Sequence, residues 1–238
     1  MKIVASGEMA KRKRAATDPL ESVNQKDDDQ FINEHLCPSD PSWTSWEHPN
    51  THIHYSLDLV SAGRLNRTDL DACYNLIEET SRADYEASTM GWKSGKKMIE
   101  MESPELRYIL VKNPEGIVRG FTSLMPTYEE GEPVIYCYEI HLKPELQRTG
   151  LGRVLMSLLE SVAAHTPPTN KVMLTCFLSN HKALAFYKAF GFTEDPISPA
   201  PKKLRYGREF VPDYVIMSKT VESKAVSTNT TSSQIKRN

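Results

Sequence analysis

Gln147-Arg148-Thr149-Gly150-Leu151-Gly152 joins two runs of different period. Before it, Val134 to Leu142 is an apolar and aromatic run of strand length. After it, Leu151, Leu155, Leu158, Leu159 and Val162 recur at helical spacing as far as Ala164. A chain that passes from strand to helix through two glycines is tightly constrained. Glycine lets the backbone approach a ligand closely, and the first amides of a helix point outward, where they favour an anion. Arg148 and Arg153 add positive charge beside them. A pyrophosphate is the natural guest, although two glycines also mark many ordinary turns. The Gly-Lys-Ser/Thr ending of a P-loop is absent, and so is the third glycine of a dinucleotide fingerprint.

The rest of the chain supplies a sheet around this turn. His52 to Val60 alternates, with Ile53, Tyr55, Leu57 and Leu59 on one face. Thr68 is the expected N-cap of a helix running to about Glu86, and a shorter helix follows Trp92 as far as Ser103-Pro104. Strands are expected at Arg107 to Lys112 and Ile117 to Leu124, joined through Asn113-Pro114-Glu115-Gly116. An acidic loop precedes the Val134 strand. Lys171 to Leu178 reads as a strand, Asn180 to Phe190 as a helix ended by Gly191, and Tyr214 to Lys219 as a last strand after a proline- and lysine-bearing loop. The order predicts a mixed α/β sheet flanked by helices, in one domain over residues 51–220.

Residues 1–19 read as a disordered basic arm and 221–238 as a disordered tail. Residues 20–50 read as a helical and loop extension, with a helix over 20–38 that Asp27-Asp28-Asp29 interrupts. Lys11-Arg12-Lys13-Arg14 is either a nuclear localisation signal or a solvated basic run. A net charge of -2 argues against a general nucleic-acid binder. No apolar stretch of membrane-spanning length occurs, and the first residues lack a signal peptide's apolar core. Cys37, Cys73, Cys137 and Cys176 form no CxxC pair, so reduced thiols and no metal are expected.

Gln147 to Gly152 resembles the Q/R-x-x-G-x-G/A signature of the GNAT acetyltransferases. Asn180-His181-Lys182-Ala183-Leu184-Ala185-Phe186-Tyr187-Lys188-Ala189-Phe190-Gly191-Phe192 resembles that family's second recurring block. The resemblance implies the acyl-CoA N-acyltransferase fold, with acetyl-coenzyme A as co-substrate. Gln147, Arg148, Thr149, Gly150, Leu151, Gly152, Arg153, Asn180 and Tyr187 are then its expected contacts. It also implies that the strand before the signature splays from its neighbour, leaving the backbone of Ile140, His141 and Leu142 to pair with the pantetheine arm.

Acetyl transfer needs a neutral amine, a stabilised oxyanion and a departing thiolate. A backbone amide near Leu142 can serve the oxyanion. Tyr187 is placed either to protonate the sulfur or simply to pack. Glu139, in Tyr136-Cys137-Tyr138-Glu139-Ile140-His141-Leu142, is costly inside a central strand unless paired. It reads as a base, acting directly or through water, or as half of an ion pair. His141 is an alternative base. Alternation sets Tyr136, Tyr138 and Ile140 on one face and Cys137, Glu139 and His141 on the other.

Tyr85 to Lys93, Tyr136 to Glu139 and Lys171 to Thr175 together resemble the N-alpha-acetyltransferase D branch of the superfamily, over roughly residues 50–220. That branch acetylates the N-terminal serine of histone H4 and histone 2A, which implies nuclear and cytoplasmic placement. It also implies a pocket for Ser-Gly-Arg-Gly ends lined by Tyr85, Trp92, Thr127, Tyr128, Glu129, Tyr136, Tyr138, Thr175, Ser198 and Tyr214, with Tyr138 counted among the catalytic residues beside Glu139 and Tyr187. Met90 and Thr127 depart from the tryptophan and aspartate frequent there. Glu129, Glu130 and Glu132 form an acidic lip suited to a basic tail. A monomer is expected. The alternatives are an acetyltransferase for lysine side chains or small amines, and a catalytically silent module that binds histone tails.

Overall fold

A computed structural model describes residues 18–36, 41–203, 205 and 209–222. The Lys11 to Arg14 run, Cys37 and the tail beyond Glu222 lie outside them. The amphipathic stretch near the start folds as two short helices, α1 (Pro19–Asn24) and α2 (Asp28–Phe31), the second running into a π-helical turn over Ile32–Leu36. The aspartate run interrupts the helix, as expected, and also restarts it. Asp27 caps α2, accepting from the Gln30 amide while Gln30 returns the bond.

The main sheet runs β1 (Ser45–Glu47), β2 (His54–Ser61), β3 (Arg107–Lys112), β4 (Val118–Glu129), β5 (Glu132–Leu142), β6 (Lys171–Phe177), β10 (Tyr214–Thr220) and β7 (Thr193–Glu194). Every pairing in it is antiparallel except β5 with β6. β8 (Lys202–Lys203) and β9 (Glu209–Phe210) make a separate small ribbon within the stretch expected to be a loop. The helices are α3 (Arg67–Ala87), α4 (Ser94–Met101), α5 (Leu151–Ala164) and α6 (His181–Ala189). Asn66, not Thr68, caps α3; its side chain accepts from the Asp69 amide. The expected acidic loop is a two-residue turn: Glu130 and Gly131 both have positive φ, and Glu129 pairs with Glu132 across them. Positive φ at both positions is what a tight hairpin demands, and glycine meets it without strain.

Two apolar layers cover the sheet. On one face α5 and the N-terminal segment bury Phe31, Leu36, Leu57, Ile135, Cys137, Leu155, Leu159 and Tyr187. On the other, α3 and α4 bury Cys73, Leu76, Ile77, Met101, Tyr108 and Phe121. Arg107 ties the N-terminal segment down. Its guanidinium lies 4.1 Å from the Phe31 ring centroid and donates to the carbonyls of Asn24 and Lys26. Cys73, Cys137 and Cys176 are buried free thiols. No helix among the described residues is long and apolar enough to cross a membrane, and no cluster there suits a metal ion.

Candidate active site

The site grows from an irregularity in β5. Cys137 pairs with Leu124 and Glu139 with Ser123, so Tyr138 is an extra residue in the ladder. Such a bulge reverses the parity of everything beyond it. The expected alternation therefore fails. Cys137 packs in the α5 layer, while Tyr138 packs in the α3–α4 layer with Glu139 and His141 on the same side. Tyr136, 5.3 Å from Tyr138 between ring centroids, joins them, and Ile140 turns to the α5 layer.

The Glu139 side chain is only 10% exposed, so its partners decide its charge. Its Oε1 accepts from Lys97 Nζ at 2.8 Å, and its Oε2 lies 2.5 Å from His141 Nε2. Burial resists ionisation, but the Lys97 ammonium and the His141 contact outweigh it and hold the carboxyl down to about 2. Lys97 also bonds Glu100 at 2.6 Å and sits over the Tyr85 ring, 5.0 Å from its centroid. Burial disfavours the ammonium; Glu139, Tyr85 and Glu100 more than compensate and push its pKa upward. Both sequence readings of Glu139 thus meet in one residue, an ion-paired carboxylate inside a candidate reaction centre. Lys97 itself was missed. The signal was present: Lys97 and Met101 are i, i+4 on α4, and both are buried.

Aromatic rings wall the space beside this carboxylate. Tyr85 meets Trp92 at 5.4 Å and Phe177 at 4.8 Å. Tyr136 Oη lies 2.6 Å from Thr175 Oγ1. Burial pushes the phenols of Tyr85 and Tyr136 up to about 12. Tyr85, Met90, Trp92, Lys93, Lys97 and Glu100 line a hollow of ≈ 290 Å³, at the small end for a ligand pocket. The Thr89 amide donates to Asp213, and Ser179 donates to Asp84 at 2.5 Å. These bonds fasten the α3–α4 corner across the ends of β6 and β10, beside Tyr214, whose register partner is Phe177. Thr127 and Glu129 alternate with Met125 and so share the tyrosine face. Desolvation, then Glu130, raises the Glu129 carboxyl.

Two expected lining residues lie elsewhere. Tyr128 falls on the opposite face of β4 and donates to Asp18 at the start of α1. Ser198 sits on the outer side of β10, where its hydroxyl accepts from the Ile216 amide while Asp195 bonds the Ile216 carbonyl. Parity and a bond to a distant loop explain both, and neither shows in a sequence pattern.

β5 and β6 pair only through Ile135–Cys137 and Val172–Leu174, then part. The Lys143 amide bonds the Arg119 carbonyl in β4. Antiparallel alternation then turns the His141 backbone into the β4 ladder and leaves the groups of Ile140 and Leu142 facing the gap. His141 therefore contributes its side chain rather than its backbone. The Leu142 carbonyl accepts from Gln147 Nε2 at 3.0 Å, so Gln147 braces the strand end. Below the gap, Tyr187 is buried with Cys137 and Cys176, and burial raises its pKa well above the usual tyrosine value.

At the turn, Arg148 has φ 60 and Gly150 φ 92. The amides of Gly150, Leu151 and Gly152 have no acceptor among the described residues, and Arg153 and Val154 bond back to the Gly150 carbonyl. That is an anion nest on a helix N-terminus. A Cβ on Gly152 would lie 3.3 Å from Phe186, so this glycine serves helix packing while Gly150 serves the turn. Thr149 Oγ1 donates to the Leu146 carbonyl, and Asn180 caps α6 by accepting from the Ala183 amide. Thr149 thus fixes the backbone of the turn itself, and Asn180 fixes the start of α6. Arg148 and Arg153 are exposed at its rim.

Residues 68–192 match the acetyltransferase (GNAT) family. The chain belongs to that family. Acetyltransferases of this kind draw their acetyl group from acetyl-coenzyme A, and the nest at Gly150 suits its diphosphate. The chain is 35% identical over 156 residues to N-alpha-acetyltransferase 40 of Saccharomyces cerevisiae, covering 56% of this chain; the matched part is 54% of that protein, so the chain spans about half the length of this curated relative. A GNAT acetyltransferase from Staphylococcus aureus superimposes at TM-score 0.50 and 11% identity, over 70% of this chain and all (100%) of that one, which supports the fold. The ribosomal-protein-S18-alanine N-acetyltransferase of Escherichia coli gives a TM-score of 0.45 at 22% identity, over 72% and 97% of the two chains.

Proposed function

We propose that this GNAT enzyme is an N-alpha-acetyltransferase whose substrates are protein N-termini of the Ser-Gly-Arg-Gly kind, as on histone H4 and histone 2A. The observation that carries the reading is a buried carboxylate, Glu139, at the mouth of the β5–β6 gap and walled by tyrosines. A thioester whose diphosphate lies on the Gly150 nest and whose arm pairs with Ile140 and Leu142 presents its acetyl group there. Rings of Tyr85, Trp92, Tyr136 and Tyr138 make a narrow slot, which suits a chain end better than a side chain projecting from a folded surface. An α-amine also suits the site chemically: its pKa is about 7.7–8.0, against about 10.4 for lysine, so a modest base frees it. Glu129 offers a carboxylate to a following arginine. The similarity to N-alpha-acetyltransferase 40 supports the same reading.

The chemistry asked of the chain is limited. Glu139 receives the proton that the amine releases, an outward amide near Leu142 meets the oxyanion, and Tyr187 supplies a proton on the sulfur side. Nuclear and cytoplasmic placement through Lys11 to Arg14, a monomeric state and histone-tail partners belong to the same proposal. The test is incubation of the full chain with acetyl-coenzyme A and a Ser-Gly-Arg-Gly peptide, read by mass, beside the same peptide with a blocked N-terminus and an internal lysine. Addition of one acetyl group to the free-ended peptide alone is expected. Acetylation of the blocked peptide transfers the assignment to a lysine enzyme, and no acetylation of either peptide overturns the proposal.

A further inference from the structure

The hollow beside Glu139 is bounded by two pieces of chain that are remote in sequence. One is the end of α3 with the corner after it, which brings Tyr85, Met90, Gly91 and Trp92 to the hollow. The other is the sheet, where Phe177 at the end of β6 meets the Tyr85 ring and is the register partner of Tyr214. The corner is tied within itself. Ser88 Oγ donates to the Tyr85 carbonyl at 2.8 Å and accepts from the Met90 amide at 3.2 Å. Gly91, with φ 64, then turns the chain toward Trp92.

Besides the Tyr85–Phe177 ring contact, two aspartates hold this corner against the sheet, one from each side. Asp84 on α3 accepts from Ser179 Oγ, just beyond β6, at 2.5 Å. Asp213, just ahead of β10, accepts through Oδ2 from the Thr89 amide. The Asp213 carbonyl accepts from the Leu178 amide at 2.9 Å, so this carboxylate is anchored on the end of β6. Its Oδ1 is buried with no partner among the described residues. The Thr89 amide is therefore the donor on which this carboxylate depends, and the bond is charge-assisted.

From this geometry we infer that Asp213, seconded by Asp84, is a positioning residue that latches the α3–α4 corner, and that the latched corner restricts the substrate's first residue to a small side chain. The reacting amine belongs at Glu139, so the first side chain shares the space under Tyr85, Met90 and Trp92 with the peptide unit that follows it. A hollow of ≈ 290 Å³ is at the small end for a ligand pocket. A bulky first side chain overfills it as long as the corner cannot recede. The latch touches neither the coenzyme cradle at Gly150 nor Glu139, so its effect falls on peptide binding.

The inference rests on the acetyltransferase reading, and its test separates the two. The full chain is assayed with acetyl-coenzyme A and two free-ended peptides, Ser-Gly-Arg-Gly and Phe-Gly-Arg-Gly, beside three variants. Asp213→Ala removes the acceptor. Thr89→Pro removes the donor from the other side, and the extended backbone of Ser88, with ψ 166, accommodates a following proline. Asp213→Asn keeps an acceptor for the Thr89 amide. The unaltered chain should prefer the serine peptide. Asp213→Ala and Thr89→Pro should each raise KM for it about tenfold, with kcat and coenzyme affinity unchanged, and should narrow its preference over the phenylalanine peptide about as much. Asp213→Asn should restore most of the preference. KM and preference unmoved in both Asp213→Ala and Thr89→Pro overturn the latch and leave the acetyltransferase assignment standing. No acetylation of the serine peptide by the unaltered chain overturns that assignment and the latch with it.

Discussion

Replacing Glu139 by glutamine should change how the protein responds to acid, in a direction the ion pair fixes. The carboxyl is held at about 2 in the fold, against the usual 4.5, because Lys97 and His141 outweigh the cost of burial. A folded pKa below the unfolded one stabilises above the unfolded value, and the stabilisation disappears as pH falls through the folded value. A gap of about 2.5 units is worth about 3 kcal/mol at neutral pH. The same linkage leaves about half of that or less at pH 3 and nothing well below pH 2. Glu139→Gln removes this contribution while Lys97 keeps Glu100 as a partner at 2.6 Å. Urea unfolding of both proteins at pH 7, 5, 4 and 3 measures it. The unaltered protein should be the more stable by about 3 kcal/mol at pH 7, with the gap halving by pH 3. A gap independent of pH would refute the ion pair as its source.

Other perturbations test separate parts of the structure. Gly152→Val must displace Phe186, whose ring lies 3.3 Å from the position of a Cβ; a loss of about 1–3 kcal/mol is expected in thermal unfolding, with weaker coenzyme binding by calorimetry. Arg107→Met removes the donor to Asn24 and Lys26 and the cation over Phe31; a loss of about 2–3 kcal/mol is expected in urea unfolding, with faster proteolytic cleavage between residues 18 and 36. Tyr136→Phe leaves Thr175 without its 2.6 Å partner at the slot; peptide KM should rise several-fold while coenzyme affinity stays constant.

The elements legible in the sequence are those with a strong period and clear punctuation. The spacing that runs from Leu151 to Ala164 starts just after Gly150, and the helix has those limits. Lys171 to Phe177 and the helix before Gly191 were legible for the same reason. β1 was not, because three residues of edge strand in a proline- and tryptophan-rich stretch carry no period. Asn66 displaced Thr68 as a cap because both side chains suit the position and only the start of the helix selects between them. The ribbon of β8 and β9 likewise has too few residues to show alternation.

The candidate site was half legible, and the missing half has one physical source. Glu139 stood out because a carboxylate in an apolar strand demands an explanation, and Tyr136 and Tyr138 because aromatic side chains cluster there. A strict period of two then set the tyrosines and the glutamate on opposite faces, where they cannot form one pocket. The inserted Tyr138 shifts the phase at that step, and the phase shift is what assembles Tyr136, Tyr138, Glu139 and His141 on the side of α3 and α4. A bulge has no residue signature of its own; it is a count of pairs between two strands. Deleting Tyr138 removes the extra residue but leaves Cys137 opposite Leu124 and Glu139 opposite Ser123, so Glu139 and His141 keep their side and only the Tyr138 ring is lost from it. Glu139 still meets Lys97 there, so the deletion should preserve the fold and raise peptide KM through the missing ring, whereas Tyr138→Phe, which keeps the ring, should leave KM near that of the unaltered chain; a deletion variant that fails to fold would show that the bulge itself holds the strand.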